Sequence, residues 1–379
     1  MVSPQRQPQS SRRSWLKQCF QQIWHHNPIW QSSAVWLTAP SVAGLVLAVR
    51  SLGVLQPLEW IAYDEFVKLS PQQAVDERIL IVGINETDLQ QLAQYPMDDA
   101  TLASLLEKVK QGKPRAIGLD IFRDFAVAPG SDKLINLFKT TPNIIGIEKR
   151  QGSRDRAAVN PSGVLSQQGQ TASNNVVLDG DGKLRRGLLY WTDGEDFIES
   201  IGLRLAMMQL AAQGIEPESD GEHLKLGKST FKPFAANDGS YINADDGSYQ
   251  MLLNYRGPAQ SFRTVSMMDM LQGRVSHDLI HDRIVLVGVT AESLRDIFYT
   301  PYSENRITTP EKTAGVEIIA NTASHIMTAA VEGKGTRQVW GDKWEGAWII
   351  LWSGLVRQLP GGFGGHGGQL SPCLAWSVC

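Results

Sequence analysis

The chain has 379 residues, is 42% hydrophobic and 20% charged, and carries a formal net charge of −3 at pH 7. These values suit a folded protein with a sizeable core, as two ordinary domains or one large domain with appendages, and speak against a general nucleic-acid binder. The three cysteines, Cys19, Cys373 and Cys379, all lie near the ends, so the middle offers neither a disulfide framework nor a thiolate metal site.

Residues 1–28 are polar and basic, with Arg6, Arg12, Arg13 and Lys17, and no acidic residue precedes Glu59. From Ile29 to Leu55 the chain turns apolar, most densely from Ala34 to Val49. That length is marginal for a bilayer core, which takes about 20 apolar residues. Pro40 and Gly44 are tolerable in a membrane helix, and Arg50 is placed to snorkel to an interface. The rival reading is a cleaved signal peptide, but the stretch exceeds a typical signal core and lacks a convincing small-residue cleavage site. The pattern predicts an uncleaved anchor at 29–56, crossing the cell inner membrane once. The basic tail at 1–28 would be cytoplasmic and the residues after Gln56 extracytoplasmic. Of eleven tryptophans, five crowd the N-terminal 60 residues and five follow residue 339, a distribution that suggests two membrane interfaces.

Pro57 to Pro71 reads as a short amphipathic connector with Trp60, Tyr63 and Phe66 at helical spacing. A strand is expected at Ile79–Ile84, then a helix near Ala100–Gln111 capped by Asp98 or Asp99 and ended by Gly112, then a strand around Pro114–Ile121. This is a βαβ pattern, for which a right-handed crossover is expected. A helix at about Asp132–Lys139 and a strand at Asn143–Ile147 continue the alternation. Arg150 to Asn175 reads as a loop or flap, Val176–Arg186 as a hairpin turned on Asp-Gly, and Ser200–Gln213 as a helix. Two copies of Asp-Gly-Ser-Tyr, at 238–241 and 246–249, read as hairpin loops. A strand at Gln250–Tyr255, a short helix at Ser266–Gln272, a strand at Arg283–Val289 and a helix at Val316–Ala330 complete the set.

Two of these strands are nearly the same phrase: Arg-Ile-Leu-Ile-Val-Gly-Ile from Arg78 and Arg-Ile-Val-Leu-Val-Gly-Val from Arg283. Their apolar runs are continuous rather than alternating, as expected of parallel strands covered on both faces. Leu89 and Leu294 follow at the same offset. The fold class expected is therefore α/β, with a mostly parallel central sheet, covering helices and hairpin insertions, preceded by one transmembrane helix.

Beyond Trp340 an apolar stretch begins and then gives way to Leu-Pro-Gly-Gly-Phe-Gly-Gly-His-Gly-Gly from Leu359. Glycine costs about 1 kcal/mol and proline about 3 kcal/mol inside a helix, so no helix continues there. Residues 340–356 read as a partial second membrane segment. Residues 357–379 read either as a flexible tail or as sequence out of frame from near Val356.

No nucleophile elbow, phosphate-binding glycine loop or His-Glu-x-x-His motif is present. His277 and His281 have helical metal-ligand spacing but no third ligand nearby, and no metal is expected. Asp179-Gly-Asp181-Gly and the aspartates at 238–246 resemble calcium loops without the closing glutamate. Asp98-Asp99 suits a helix cap better than a catalytic pair. In parallel α/β sheets ligands bind beyond the carboxyl ends of the strands. Asn85, Glu86 and Asp88, then Asp120, then Thr290, Glu292 and Asp296 fall there. The ligand-binding candidates are Asn85, Asp88, Asp120, Thr290 and Asp296. Capping of helices and loops is the competing role, and no catalytic residue or cofactor is expected.

The order of motifs resembles the CHASE2 domain, an extracytoplasmic sensor module of bacterial signalling proteins. The residues that carry the resemblance are Leu55-Gln-Pro-Leu-Glu59, Tyr63-Asp64, Ile81–Asn85, Ala116–Asp120 and Asp181-Gly-Lys-Leu-Arg-Arg186. They continue with Ile284–Gly288, Asp296, Thr300-Pro301, Gly315-Val-Glu317 and Ala320-Asn321. The resemblance spans residues 55–330 and implies a sensor domain at 57–335. It also implies an anchor before the sensor, membrane helices after it, and a cytoplasmic cyclase or kinase output. The sequence departs from that pattern at its C-terminus, with at most a fragment of the second membrane helix and no output domain. The expected partners are the membrane and an unknown small-molecule or protein signal, with no nucleic acid, and a homodimer is compatible. The alternatives are a periplasmic α/β enzyme or a non-signalling fragment of a sensor.

Overall fold

The computed structural model describes residues 33–92, 94–150, 158–193, 196–219, 221–303, 310–334 and 339–355. The N-terminal tail, residues 1–28, and the Gly-rich C-terminal tail, residues 357–379, lie outside them. The chain divides into two compact units, one built from residues up to 56 together with those from 340, the other from residues 57–339.

In the first unit, helix α1 (Ser33–Ser51) packs on a helix at Asp342–Leu355. Arg50 donates to the carboxylate of Glu345 at 2.6 Å, and Glu345 is 4% exposed. Trp340, Trp348 and Trp352 meet edge to face at 5.8 and 5.4 Å. No single described helix is long and apolar enough to cross a membrane.

The second unit opens with α2 (Gln56–Leu69), which buries Trp60, Tyr63, Asp64 and Val67. Then come β1 (Ile79–Ile84), α3 (Glu86–Leu92), α4 (Asp99–Gln111), β2 (Ala116–Asp120), α5 (Ser131–Thr140) and β3 (Ile144–Glu148). The stretch expected to be a loop contains a short helix, α6 (Gly163–Gln167), and a strand, β4 (Thr171–Ser173), which extends the sheet. Three-residue edge strands carry too little periodicity to be read from sequence. The insertion that follows comprises β5 (Arg186–Asp193), β6 (Asp196–Glu199), α7 (Ile201–Ala211), β7 (Pro217–Ser219), β8 (Leu224–Leu226), β9 (Ser229–Phe231) and β10 (Tyr249–Leu252). The chain returns through β11 (Thr264–Ser266), α8 (Met267–Leu271), β12 (Ile284–Val289), β13 (Ile297–Phe298), β14 (Thr313–Ala314) and α9 (Gly315–Glu332). The helix at Asp342–Leu355 is α10.

The main sheet runs β11-β1-β12-β2-β3-β4, and every pairing is parallel. The two near-identical strands are direct neighbours in register, with Ile79 opposite Ile284 and Gly83 opposite Gly288. β12 thus separates β1 from β2, the two strands of the expected βαβ pattern. All six residues of each repeat strand are buried. Leu80, Val82, Val285 and Val287 pack beneath α4, α5 and α8, whereas Ile79, Ile81, Ile284 and Leu286 pack beneath α7 and α9. Two covered faces explain why neither strand alternates. Leu89 and Leu294 occupy corresponding places against the first of these layers.

The expected hairpins at the Asp-Gly-Ser-Tyr copies are not formed. The antiparallel turns lie between β7, β8 and β9 instead. The first copy is a turn whose Asp238 accepts from the Ala235 N–H at 2.9 Å, and the second leads into β10. Asx turns and hairpin turns draw on the same residue types, so composition alone does not separate them.

Candidate functional site at the carboxyl edge of the sheet

Asn85, Asp120 and Thr290 sit where parallel strands end, Asp88 lies in α3, and Asp296 immediately precedes β13. After β1 and β12 the chain leads first to the same layer, through Leu89 and Leu294.

The structure assigns several candidates to the scaffold. Asn85 Oδ1 accepts from the Asp88 N–H at 2.9 Å, and Asp88 Oδ2 accepts from the Asn85 N–H at 3.1 Å. This reciprocal pair caps α3. The other Asp88 oxygen accepts from the Ser266 hydroxyl at 2.6 Å and from the Met268 N–H at 3.3 Å, which ties down the start of α8. Glu86 accepts from the backbone and hydroxyl of Ser293, so the loops after β1 and β12 are stitched together. Thr290 lies over Gly83, where an added Cβ would stand 2.8 Å from its hydroxyl oxygen.

Asp120 and Asp296 differ from the rest. Asp120, 7% exposed at the end of β2, accepts from the Asn174 amide at 2.8 Å through Oδ1, while its buried Oδ2 has no hydrogen-bond partner. Burial, and then the charge of Asp296, push its carboxyl well above the ordinary range, against the lowering effect of Asn174. Asp296 is itself raised by burial, with Lys149 opposing. Its backbone carbonyl accepts from the Gly315 N–H at 2.9 Å, and a Cβ at Gly315 would overlap its carboxylate. The second carboxyl therefore rests against the first residue of α9, where the helix dipole favours negative charge. The Tyr95 hydroxyl, raised by partial burial, is lowered by Arg123 and raised by both aspartates.

Three contributors escaped sequence reasoning. Asn174 lies 54 residues from Asp120, within the stretch expected to be a loop; Tyr95 and Lys149 carry no motif. Asp98 caps α4 by accepting from the Thr101 N–H. Asp99 instead accepts from the Val127 N–H and the Ser131 hydroxyl, so the two adjacent carboxylates point to separate tasks. His277 and His281 stand on an exposed turn, with His281 beside Asp282. Among the described residues no group of three His, Cys, Asp or Glu is placed to hold a metal.

A second buried polar cluster joins α2 to the Asp-Gly turn. Asp64 receives Arg185 through two bonds, Nε to Oδ1 at 2.8 Å and Nη2 to Oδ2 at 2.9 Å, and also Lys183 at 2.8 Å. Asp179 and Asp181 complete the ring around Arg185, and Arg186 reaches Asp179 and Gln250. The aspartates that resembled a calcium loop are thus occupied by guanidinium groups. Burial opposes the charge of Arg185, but Asp64, Asp181 and Asp179 outweigh it and hold the group above its ordinary pKa. The guanidinium also lies 5.2 Å from the Trp60 ring.

The sequence model of one family, described as the CHASE2 domain, matches residues 42–357. The chain belongs to the CHASE2 family. CHASE2 is an extracytoplasmic sensor domain, and the match covers nearly the whole of the described chain. It includes both buried clusters. Neither a curated protein nor a solved structure matches the chain.

Proposed function

We propose that this CHASE2 chain is a membrane-anchored extracytoplasmic sensor that binds its signal at the carboxyl edge of the sheet, around Asp120 and Asp296. The observation that carries the reading is the Asp120 carboxyl, buried beside a second acid with one oxygen unpartnered. Burying an unpaired polar oxygen costs free energy, and a bound group that pairs with it through a hydrogen bond recovers that cost. Binding there would bear on Asp296 and on α9, shifting the balance between bound and unbound populations. The anchor is the apolar stretch at 29–56, and the basic residues ahead of it support a cytoplasmic N-terminus. In a chain that carries a cyclase or kinase output, the shift would be relayed to that output.

The test has two arms. Alkaline phosphatase, which is active only outside the cytoplasm, is fused after residue 70 in a bacterial host. Activity is expected, and an inactive fusion that is nonetheless made in full would end the extracytoplasmic reading. The full chain is then screened in detergent against a metabolite library by thermal shift. At least one compound should stabilise it and lose that effect in Asp120→Asn. Stabilisers that act equally on the variant would remove the sheet-edge site.

A further inference from the structure

Away from the sheet edge, a cavity of about 250 Å³ opens between the β8–β9 ribbon, β10 and the middle of α9. Its floor is formed by Phe231, Phe234, Met251, Leu252 and His325, all buried. At the mouth stand Lys232 and Ala235, both exposed. A cavity of roughly 150 Å³ with apolar walls is enough to take up benzene, so this one has room for a single ring with a short substituent.

The walls favour an aromatic guest. Phe231 meets the His325 ring edge-on at 6.5 Å, and Phe234 meets Tyr241 at 4.9 Å with the planes 83° apart. The floor already packs rings in the arrangement that aromatic quadrupoles prefer. His325 Nδ1 accepts from the Asn254 N–H at 3.3 Å, which holds the ring in the floor. Asp238, whose Oδ2 accepts from the Ala235 N–H, also lines the cavity and keeps its negative charge, and Lys232 supplies the cation. We infer that this cavity is a binding site for a small aromatic monocarboxylate, its ring on the floor and its carboxylate at the mouth beside Lys232.

The position gives such a site a use. Val339 lines the same cavity and packs into the cluster of Trp60, Phe234, Tyr241 and Leu252. In the chain, Val339 stands three residues before α10, and Trp60 follows α1 by nine. A guest on Phe234 therefore touches the cluster that contains Trp60 and Val339, which lie near the two ends of the chain segment forming this unit. This inference is independent of Asp120 and Asp296.

Phenylacetate is the probe, applied to the full chain in detergent and followed by saturation-transfer NMR and by the unfolding midpoint. Saturable binding is expected, with a rise in midpoint of roughly 2 °C or more. Ala235→Trp should fill the mouth and abolish both signals, and Lys232→Ala should weaken binding severalfold; both residues are exposed, so neither change disturbs the core. Asp120→Asn should bind phenylacetate as the unaltered chain does, which separates failure here from failure at the sheet edge. Absence of saturable binding to the unaltered chain, or undiminished binding to Ala235→Trp, would overturn the proposal. Undiminished affinity in Lys232→Ala would overturn the assignment of the ligand as a carboxylate.

Discussion

Asp64 on α2 and Arg185 after the Asp-Gly turn are 121 residues apart in sequence and joined by two parallel charge-assisted hydrogen bonds, with Arg185 fully buried. The pair fastens the connector that follows the apolar N-terminal stretch to the body of the sensor domain. Asp64→Ala removes two bonds to Arg185 and the partner of Lys183, while Asp179 and Asp181 still face Arg185, so it should lower stability by about 1.5–3 kcal/mol in urea denaturation of the full chain. Arg185→Lys should destabilise as well, because an ammonium cannot make the two-pronged contact. A midpoint unchanged in either variant would show that the cluster contributes no stability.

The pH dependence of stability should have two limbs of opposite sign. Burial raises the Asp76 carboxyl, but Arg78, Ser324 and Arg256 outweigh it and the net shift is downward. Its contribution is present above the ordinary carboxylate pKa and is lost as pH falls through the depressed folded value. Asp120 and Asp296 are raised, so the folded state holds more protons there than the unfolded state does. Their contribution is complete below the ordinary carboxylate pKa and is lost as pH rises through the folded values. Asp120→Asn, which cannot ionise, should unfold at a higher temperature than the unaltered chain at pH 8 and at nearly the same temperature at pH 4. Equal differences at both pH values would contradict the assignment.

Asp88 serves two helix starts at once, accepting from Asn85, Ser266 and Met268. Asp88→Ala strands these donors and should cost about 2–4 kcal/mol, the sum of two lost caps and a buried unpaired group. Chemical denaturation measures it directly. An unchanged midpoint would return Asp88 to the candidates for ligand contact.

Gly288 is required by packing. A Cβ there would stand 2.9 Å from both Cβ and Cγ2 of Val316 and 3.1 Å from Cβ of Asp120. Val316 is β-branched and held in a helix, so it has no free rotamer to retreat to. Gly288→Ala should cost about 1–3 kcal/mol by overpacking. Gly163→Ala, with nothing within 4 Å of the new atom, should leave the midpoint nearly unchanged.

Much of the scaffold was legible because its signals are local. The continuous apolar runs at Ile79–Ile84 and Ile284–Val289, the capping residue Asp98, the helix starts near Ser200 and Ser266, and the amphipathic run of α4 each report on a few consecutive residues. β4 and β11 were not legible, since three residues on a sheet edge have no period to detect. The candidate site divided along the same line. Strand ends were recognisable, but whether a polar residue there caps a helix or faces a crevice depends on its partners. Asn85 and Asp88, three residues apart, satisfy each other, whereas Asp120 depends on Asn174 and Asp296, 54 and 176 residues away.

The sequence by itself determined the fold class and the family, because hydrophobic periodicity and motif order are properties of neighbouring residues along the chain. Only the tertiary structure decided that β12 lies between β1 and β2, that Arg185 reaches the aspartates of the Asp-Gly turn, and that Asp120 shares its buried environment with Asp296. Each of these depends on groups brought together across long chain separations, where desolvation and charge, rather than local pattern, set which partner a side chain takes.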